Sequence, residues 1–419
     1  MIKRKRTLIG LIVLLLFILY HLPLSSPDFF NLYPKEDLPA RQLRQFLSRP
    51  LQVVVHDGIK WHYYRGGKGS QTILFIHGMG GAYSIWWQQI LAFEKQYRTI
   101  AVDLPESIQS LEDAARGILA ILDAENISRS LVVGTSMGGY IAQYLTDRYP
   151  ERVEKVVFGN TFPPNKKILR ENATTARILP WVPEALIRFL GNRQLQQNIL
   201  PAAHESPLLA AVLKSLPFSK QQFLNRYRVV VDPFFPRSDR YAIKRIPKLI
   251  IESDNDPLIP PELREQLKAR YADATVYTFH NEGHFPYINA AEKYTQVLAR
   301  FFKEENEWPS VEAVIQQYFR GRREGNVALL QKVFNPQARI MTLVDGRLTS
   351  ISLSAYWKKV KQEGPVKVQT RILDGAIQGQ FATFTVAFNY SDTRYHDVLT
   401  LAKTASGWQI IEKVFQRLP

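Results

Sequence analysis

Two glycines flank a serine, Ser136, that could act as a nucleophile. Ser136 lies in "LVVGTSMGGY" (131–140), after a short apolar run and before an amphipathic helical pattern. A strand that turns sharply into a helix can hold one side chain exposed at the turn when the residues two before and two after are small, as Gly134 and Gly138 are. At a helix N-terminus, unpaired N–H groups favour developing negative charge. The pattern predicts a nucleophile, and a glycine-rich turn needed only for packing is the alternative.

Two later segments contain the acids and bases that a serine nucleophile requires. A serine hydroxyl is a weak nucleophile, so it needs a base within hydrogen-bond reach and an acid that orients that base. "LIIESDNDPLIP" supplies Asp254 and Asp256 after a predicted strand, and "HNEGHFPYINAAEKY" supplies His280 and His284 before a predicted helix. Upstream, "HGMGG" (77–81) ends a predicted strand, and its backbone N–H groups could face an oxyanion.

The elements that position these residues alternate along the chain. Strand candidates and helical patterns such as 111–125 and 140–150 alternate, which predicts a mostly parallel sheet covered on both faces. The proline-rich stretch 161–241 lacks this alternation and is predicted to be an inserted helical cap. The strand candidates lie at 51–58, 59–67, 72–78, 98–105, 130–134, 155–160 and 248–254.

A second domain begins at about Trp308, because the pattern changes there. Short helical stretches come first, Asp345-Gly346 then marks a hairpin, and long strands follow a third helical stretch at 354–362. Helices followed by a curved antiparallel sheet indicate a separate α+β domain. The length of 419 residues and the 46% hydrophobic content agree with two globular units, 51–305 and 308–419.

The N-terminus combines a basic cluster with an apolar run. Four Lys and Arg residues at 3–6 precede apolar residues from about 7 to 24, marginally enough for a bilayer span of roughly 17 to 25 residues. No A-x-A-like cleavage site follows, so residues 1–25 are predicted to be an uncleaved single-pass signal anchor, with a cleaved signal peptide as the alternative. The rest of the chain would then be extracytoplasmic at the cell membrane. Residues 26–50 read as a polar, helix-prone stalk.

Composition narrows the range of partners. The net charge is +16, but beyond the N-terminus the Lys and Arg are dispersed and no nucleic-acid-binding motif accompanies them. The charge therefore indicates a basic surface that favours contact with anionic lipid, and no nucleic-acid partner. With no cysteine, the chain has neither a disulfide nor a thiol nucleophile.

From about Val53 to Phe302 the chain resembles the α/β-hydrolase superfamily, in which serine, acid and histidine follow in this order. The resemblance rests on "HGMGG", "GTSMGG", "DNDPLIP" and "EGHFPY". It implies that Ser136 is the nucleophile, Asp256 the acid and His284 the general base, with Asp254 the weaker candidate for the acid.

The same resemblance implies further features of the site. Backbone N–H groups of Met79 and Met137 would form the oxyanion hole, and His77 would hold that loop. Where some relatives carry the acid, "GNTF" offers Asn160 and no carboxylate. A serine nucleophile favours acyl transfer over epoxide or halide chemistry and needs no metal or cofactor. Six aromatic residues of the cap suggest an apolar pocket, with ordinary packing as the alternative: Trp181, Phe189, Phe218, Phe223, Phe234 and Phe235.

The C-terminal segment 308–418 resembles the nuclear-transport-factor-like cone, close to SnoaL-like and lumazine-binding-like modules. His396 and Asp397 are adjacent on one predicted strand, so they point to opposite faces and cannot both line a pocket. A ligand-binding role, or a homodimer formed through this domain, is expected.

Together these patterns predict a membrane-anchored serine hydrolase, of the carboxylesterase or lipase kind, acting on small-molecule or lipid esters or thioesters. A catalytically silent binding protein with the same fold is one alternative. An acyltransferase that uses the same acyl-enzyme is the other.

Overall fold

The computed structural model of the protein describes residues 24–235 and 240–418, together with Leu14, Phe17, Ile18 and Tyr20. Most of the predicted anchor, residues 1–25, therefore lies outside the described residues. Among the residues described, no helix combines the length and the apolar character that crossing a bilayer requires.

The chain forms two compact units. One comprises Met1–Arg237 and Ile246–Glu304, and the other comprises Ser238–Arg245 and Glu305–Pro419. The predicted domain bounds, 51–305 and 308–419, assign the short segment before Ile246 to the first unit. In the structure its helix, Arg240–Lys244, belongs to the second, where Tyr241 packs edge-on against Trp308.

The first unit contains one eight-stranded sheet in the order β1-β2-β4-β3-β5-β6-β7-β8. β2 pairs antiparallel with β1 and β4, and the remaining neighbours are parallel, so the predicted mostly parallel sheet is confirmed. The strands are β1 (Gln52–His56), β2 (Ile59–Gly66), β3 (Thr72–Ile76), β4 (Arg98–Asp103), β5 (Ser130–Thr135), β6 (Val153–Gly159), β7 (Lys248–Ser253) and β8 (Thr275–Phe279).

Two apolar cores lie on opposite faces of this sheet. Ile73 and Phe75 of β3 enter one core, and Leu74 and Ile76 enter the other, because successive side chains of a strand point to opposite faces. The helices that accompany the sheet are Trp87–Phe93, Leu111–Ala124, Met137–Arg148, Pro261–Arg270, Pro286–Asn289 and Ala291–Lys303, with short 3₁₀ turns at Tyr83–Trp86 and Pro150–Arg152.

The predicted stalk is wrong, because residues 26–50 pack against the first unit. Helices Phe29–Leu32 and Leu38–Leu47 lie here, and Asp37 caps the second by accepting a hydrogen bond from the Ala40 N–H. Leu43 and Phe46, three residues apart, are buried. This spacing places both on one helix face, which is covered by the core.

Between β6 and β7 the chain forms the cap. Its helices bury Ile187, Leu209 and Val229. The expected aromatic pocket is not formed by all six residues, because Trp181, Phe189 and Phe235 are exposed. The cap helices are Lys167–Glu171, Ala173–Ile178, Glu184–Gln194, Pro207–Ser215 and Lys220–Val231. Short 3₁₀ helices lie at Leu179–Trp181 and Pro201–Ala203, and a short π-helix lies at Leu195–Ile199.

The second unit is a six-stranded sheet with helices, which confirms a separate β-rich domain. Its strand order is β10-β9-β14-β13-β12-β11, and β9 and β14 are parallel. The predicted hairpin joins β9 to β10, with both Asp345 and Gly346 at positive φ. The elements are helices Trp308–Glu324, Val327–Val333 and Leu353–Glu363 and strands β9 (Phe334–Val344), β10 (Arg347–Ile351), β11 (Gln369–Gln378), β12 (Phe381–Asn389), β13 (Arg394–Thr404) and β14 (Gly407–Leu418).

A buried polar cluster lies inside the second unit. Asp397 is 2.9 Å from Lys413 Nζ and accepts a 2.6 Å hydrogen bond from the Tyr318 hydroxyl. His396 is only half-buried, as the predicted alternation of β13 requires. Because Lys413 and Asp397 neutralise each other and Tyr318 bonds to both, the cluster is paired within the domain.

Candidate active site

Ser136 lies on a strained turn between β5 and the helix Met137–Arg148. Its φ of 55° and ψ of −122° are unusual for a residue with a side chain, and such strain persists only where surrounding contacts enforce it. The Ser136 N–H donates to the Gly159 carbonyl at 2.9 Å, and the Ser136 carbonyl accepts from Thr161 Oγ1 at 2.6 Å. These two hydrogen bonds, one to the last residue of β6 and one to the second residue after it, fix the turn.

The flanking glycines are required by close backbone contacts. A Cβ atom at Gly134 would lie 2.2 Å from the Gly138 carbonyl oxygen, and one at Gly138 would lie 2.2 Å from the Ile76 carbonyl oxygen. Real Cβ atoms do not approach so closely. The packing interpretation and the nucleophile interpretation therefore describe one feature, since the tight packing is what positions Ser136 at the turn.

Asp256 and His284 form a buried pair after β7 and β8. His284 Nδ1 lies 2.8 Å from Asp256 Oδ2, and the two side chains are 3% and 0% exposed. Asp256 Oδ1 also accepts hydrogen bonds from the backbone N–H groups of Leu258 and Ile259. Burial alone would raise the pKa of Asp256, but His284 and the hydrogen bonds from its neighbours outweigh burial and lower it. The carboxylate is therefore ionised and oriented toward the imidazole at neutral pH.

Asn160 also holds this acid, a contact that the sequence analysis missed. Its Nδ2 donates to Asp256 Oδ2 at 3.0 Å, and its backbone has a φ of 39° at the end of β6. β6 lies between β5 and β7, so Asn160 joins the serine turn to the acid loop. The sequence offered one sign of this, an Asn in a strand-end loop where some relatives place a carboxylate.

The other acid and histidine form a separate pair at the surface. His280 Nδ1 lies 2.7 Å from Asp254 Oδ2, and both side chains are exposed. The Asn281 N–H and then His280 lower the pKa of Asp254. The structure thus pairs Asp256 with His284 and Asp254 with His280.

One contact of the expected triad is not formed. The hydrogen bonds of the described residues include none between Ser136 Oγ and His284. In other respects the residues converge, since parallel strands β5, β7 and β8 carry Ser136, Asp256 and His284 at the same edge of the sheet. Serine–histidine contacts are often long until substrate is present.

The loop after β3 is held by a buried histidine. The Leu104 N–H donates to His77 Nε2 at 3.1 Å, so Nδ1 carries the proton and donates to the Gly78 carbonyl at 2.7 Å. Burial, and then the charge of Arg226, lower the pKa of His77 well below its ordinary value. His77 is therefore neutral, and both ring nitrogens hydrogen-bond to backbone groups, with Asp103 Oδ1 3.8 Å from Nε2. These bonds are as expected for a residue that supports the loop.

A buried arginine of the cap binds the same loop from the other side. Arg226 Nη1 donates to the carbonyls of Met79 and Gly81 at 2.8 and 2.9 Å, and Nη2 donates to the Leu104 carbonyl at 2.8 Å. Burial lowers the pKa of Arg226 to about 10, so it remains charged at neutral pH. Because Met79 is an expected oxyanion-hole residue, this contact connects the cap to the catalytic loop. Its partners are backbone carbonyls, which leave no pattern in the sequence.

The fold and this site define an α/β hydrolase. Residues 73–297 match the family described as "Alpha/beta hydrolase family", and the chain belongs to that family. Residues 306–416 match the family described as "Putative lumazine-binding". Both resemblances drawn from the sequence are confirmed.

Known relatives are similar to more than half of the chain. The chain is 28% identical over 260 residues to a dihydrolipoyllysine-residue acetyltransferase component of an acetoin cleaving system from Cupriavidus necator, covering 58% of this chain and 67% of the relative. It is 25% identical over 275 residues to a 2-hydroxy-6-oxononadienedioate/2-hydroxy-6-oxononatrienedioate hydrolase from Burkholderia vietnamiensis, covering 60% and 94%. The enol-lactonase structure from Burkholderia xenovorans LB400 is similar in fold, with a TM-score of 0.51 at 20% identity over 60% of this chain and 100% of that chain.

Proposed function

We propose that this chain is a membrane-anchored serine hydrolase that cleaves carboxylic esters or thioesters through an acyl-enzyme on Ser136. The observation that carries the proposal is the buried Asp256–His284 pair at the same sheet edge as the strained turn of Ser136. A buried, ionised acid bonded to Nδ1 of a histidine leaves Nε2 free to act as a base.

The geometry suggests the order of proton transfers. His284 Nε2 takes the proton of Ser136 Oγ as that oxygen attacks the acyl carbon, and Asp256 stabilises the resulting imidazolium. His284 then returns the proton to the leaving alcohol or thiol. Water repeats both steps on the acyl-enzyme, which releases the acid and restores Ser136.

The oxyanion of each tetrahedral intermediate needs hydrogen-bond donors. The first N–H groups of a helix lack partners within the helix, and Met137 is the first residue of the helix after Ser136. The Met79 N–H would supply the second donor from a loop held by His77 and Arg226. Donors fixed before the reaction stabilise the developing charge without further reorganisation.

The membrane location rests on the sequence. The basic residues 3–6 and the apolar run 7–24 are typical of a signal anchor whose basic end stays cytoplasmic. The catalytic unit would then lie outside the cytoplasm, beside a lipid surface. Small-molecule or lipid esters are the proposed substrates, and hydrolases among the relatives support a hydrolytic reaction.

A fluorophosphonate probe tests the proposal directly, because it reacts with an activated serine hydroxyl next to an oxyanion hole. The full-length protein is expected to be labelled near neutral pH, Ser136→Ala to be unlabelled, and His284→Ala to be labelled very weakly. His280→Ala is the matched control and should be labelled like the natural protein. No labelling of protein with an unchanged circular dichroism spectrum would contradict the proposal and favour a silent binding protein.

Hydrolysis is separated from acyl transfer by the product. With a p-nitrophenyl ester or an acyl thioester in water, the free acid should be released in proportion to the alcohol or thiol. Release that requires an added alcohol or amine would show an acyltransferase instead.

A further inference from the structure

A short stretch of the cap exposes several large apolar side chains. Trp181 is 80% exposed and Phe189 is 62% exposed, and Ile178, Leu186 and Leu190 are also exposed. On the helix Glu184–Gln194, three of them stand at i, i+3 and i+4 and therefore share one face. Ile187 of the same helix is buried in the cap. We call residues 178–190 the exposed cap face.

Cationic side chains border this surface. Arg193 is exposed seven residues after Leu186, on the same face of the helix, and Arg170 and Arg177 are exposed just before the stretch. The acid within the stretch, Glu184, is paired with Arg188. Aromatic and aliphatic side chains beside Lys or Arg are the composition of helices that lie at the surface of anionic membranes.

The end of the N-terminal apolar run, and Ser26 just after it, are fastened to the same part of the cap. Arg188 Nη2 donates to the Leu24 carbonyl at 2.9 Å, and Ser26 Oγ donates to the Leu216 carbonyl at 2.6 Å. The Tyr20 hydroxyl donates to the Pro180 carbonyl, next to Trp181, and its ring lies 4.1 Å from Lys220 Nζ. The apolar run therefore meets the folded unit beside the exposed cap face.

We propose that the exposed cap face lies on the surface of an anionic phospholipid bilayer, with Trp181 and Phe189 inserted among the headgroups. The part of the apolar run before Tyr20 would enter the bilayer, and the contacts of Tyr20 and Leu24 with the cap would bring the surface beside them to the same lipid. The inserted rings lose their contact with water, and the bordering arginines meet lipid phosphates. The inference rests on the membrane location proposed above and is independent of the catalytic roles.

A single-cysteine probe tests this in the full-length protein, because the chain contains no cysteine. Phe189→Cys carries a bimane fluorophore into the exposed cap face. Val55→Cys is the matched control, since Val55 is also 62% exposed and lies on β1 of the same unit. Each labelled protein is added to vesicles of equal parts phosphatidylcholine and phosphatidylglycerol, with and without a doxyl-labelled lipid that quenches bimane on contact.

With vesicles, the emission from position 189 is expected to shift to the blue and to be quenched by the doxyl lipid, while position 55 shows neither effect. The shift should be smaller with phosphatidylcholine alone, since the arginines then lack an anionic partner. Fluorophosphonate labelling, or an unchanged circular dichroism spectrum, shows that the variants are folded.

Three results would overturn the proposal. A silent label at 189 in protein that co-sediments with the vesicles would leave the membrane location standing but remove this surface from it. Failure to co-sediment would remove both. A blue shift without vesicles that grows with protein concentration would show that a second copy of the chain covers the surface. None of these results bears on the serine chemistry, which the fluorophosphonate probe reports separately.

Discussion

Two aspartate–histidine pairs follow β7 and β8, and they differ in surroundings more than in contact distance. The nitrogen–oxygen distance is 2.8 Å for His284 and Asp256 and 2.7 Å for His280 and Asp254. The side chains of the first pair are 3% and 0% exposed, and those of the second are 77% and 44% exposed. A short contact between acid and histidine thus does not by itself identify a catalytic pair.

The surroundings explain why only one pair suits catalysis. Asp256 is held by Asn160 and by two backbone N–H groups from its own loop, so its direction is fixed. Water competes for the hydrogen bond between Asp254 and His280, because both side chains are exposed. Exposed pairs contribute only about 0–1 kcal/mol to stability. Fixed orientation in a dry environment is the condition under which an acid can direct a histidine.

The largest expected effect comes from exchanging each acid for its amide. Asp256→Asn should lower kcat for ester hydrolysis by about 10⁴-fold, because the amide favours the wrong tautomer of His284. Asp254→Asn, the matched change in the surface pair, should alter kcat by less than about twofold, since exposed pairs contribute little. Steady-state kinetics on one ester compares the two, and the reverse ranking would show that the pairs have been assigned to the wrong roles.

A smaller effect is expected when the buried acid keeps its histidine but loses a neighbour. Asn160→Gly removes the donor to Asp256 Oδ2 while tolerating the positive φ at this position. Since hydrogen bonds to charged groups contribute about 1.5–3 kcal/mol, kcat should fall about 10- to 100-fold. Asn126→Gly is the control, because Asn126 also has a positive φ but lies at the end of the helix Leu111–Ala124. Equal kinetics for the two variants would show that Asn160 does not orient the acid.

The smallest effect concerns a buried histidine that is bonded to backbone groups. The pKa of His77 in the folded state is well below 6.5. As the pH falls below about 6.5, the unfolded chain therefore binds up to one more proton than the folded chain. The free energy of unfolding should therefore decrease as the pH falls through this range, by at most about 1.4 kcal/mol per pH unit from this residue. Urea unfolding at several pH values should show a shallower slope for His77→Gln than for the natural protein. Equal slopes would mean that the pKa of His77 is not lowered in the folded state.

Much of the fold could be predicted because its signals are local. The apolar runs of β3, β5 and β7 indicated buried parallel strands, and Asp345-Gly346 indicated its hairpin. β8 was missed because it is an edge strand with Thr275 and Val276 exposed, so it lacks an apolar run. The stalk was predicted wrongly because the polar residues of the helix Leu38–Leu47 dominate its composition, while its buried face contains few residues.

Only those residues of the site that lie in short sequence motifs could be predicted. Spacing offered two acids and two histidines, and the resemblance to the α/β-hydrolase superfamily favoured Asp256 and His284. The burial that distinguishes the two pairs arises only when four strands align. Asn160 and Arg226 act through contacts with residues far away in the chain, 96 residues for Asn160 and Asp256. The cap aromatics were expected to line a pocket, but Trp181 and Phe189 are exposed in the structure.

Arg226 has a consequence for how this enzyme could be altered. The loops of an α/β hydrolase are commonly treated as exchangeable, with the cap as the part that adapts to a new substrate. Here the cap carries the guanidinium that holds three carbonyls of the catalytic body, so the two cannot be exchanged independently. A chimera with a relative's cap would need an arginine at the same place, or its Met79 loop would lose the hydrogen bonds that Arg226 donates to it. A change of cap at this position would therefore also change the support of the loop that follows β3.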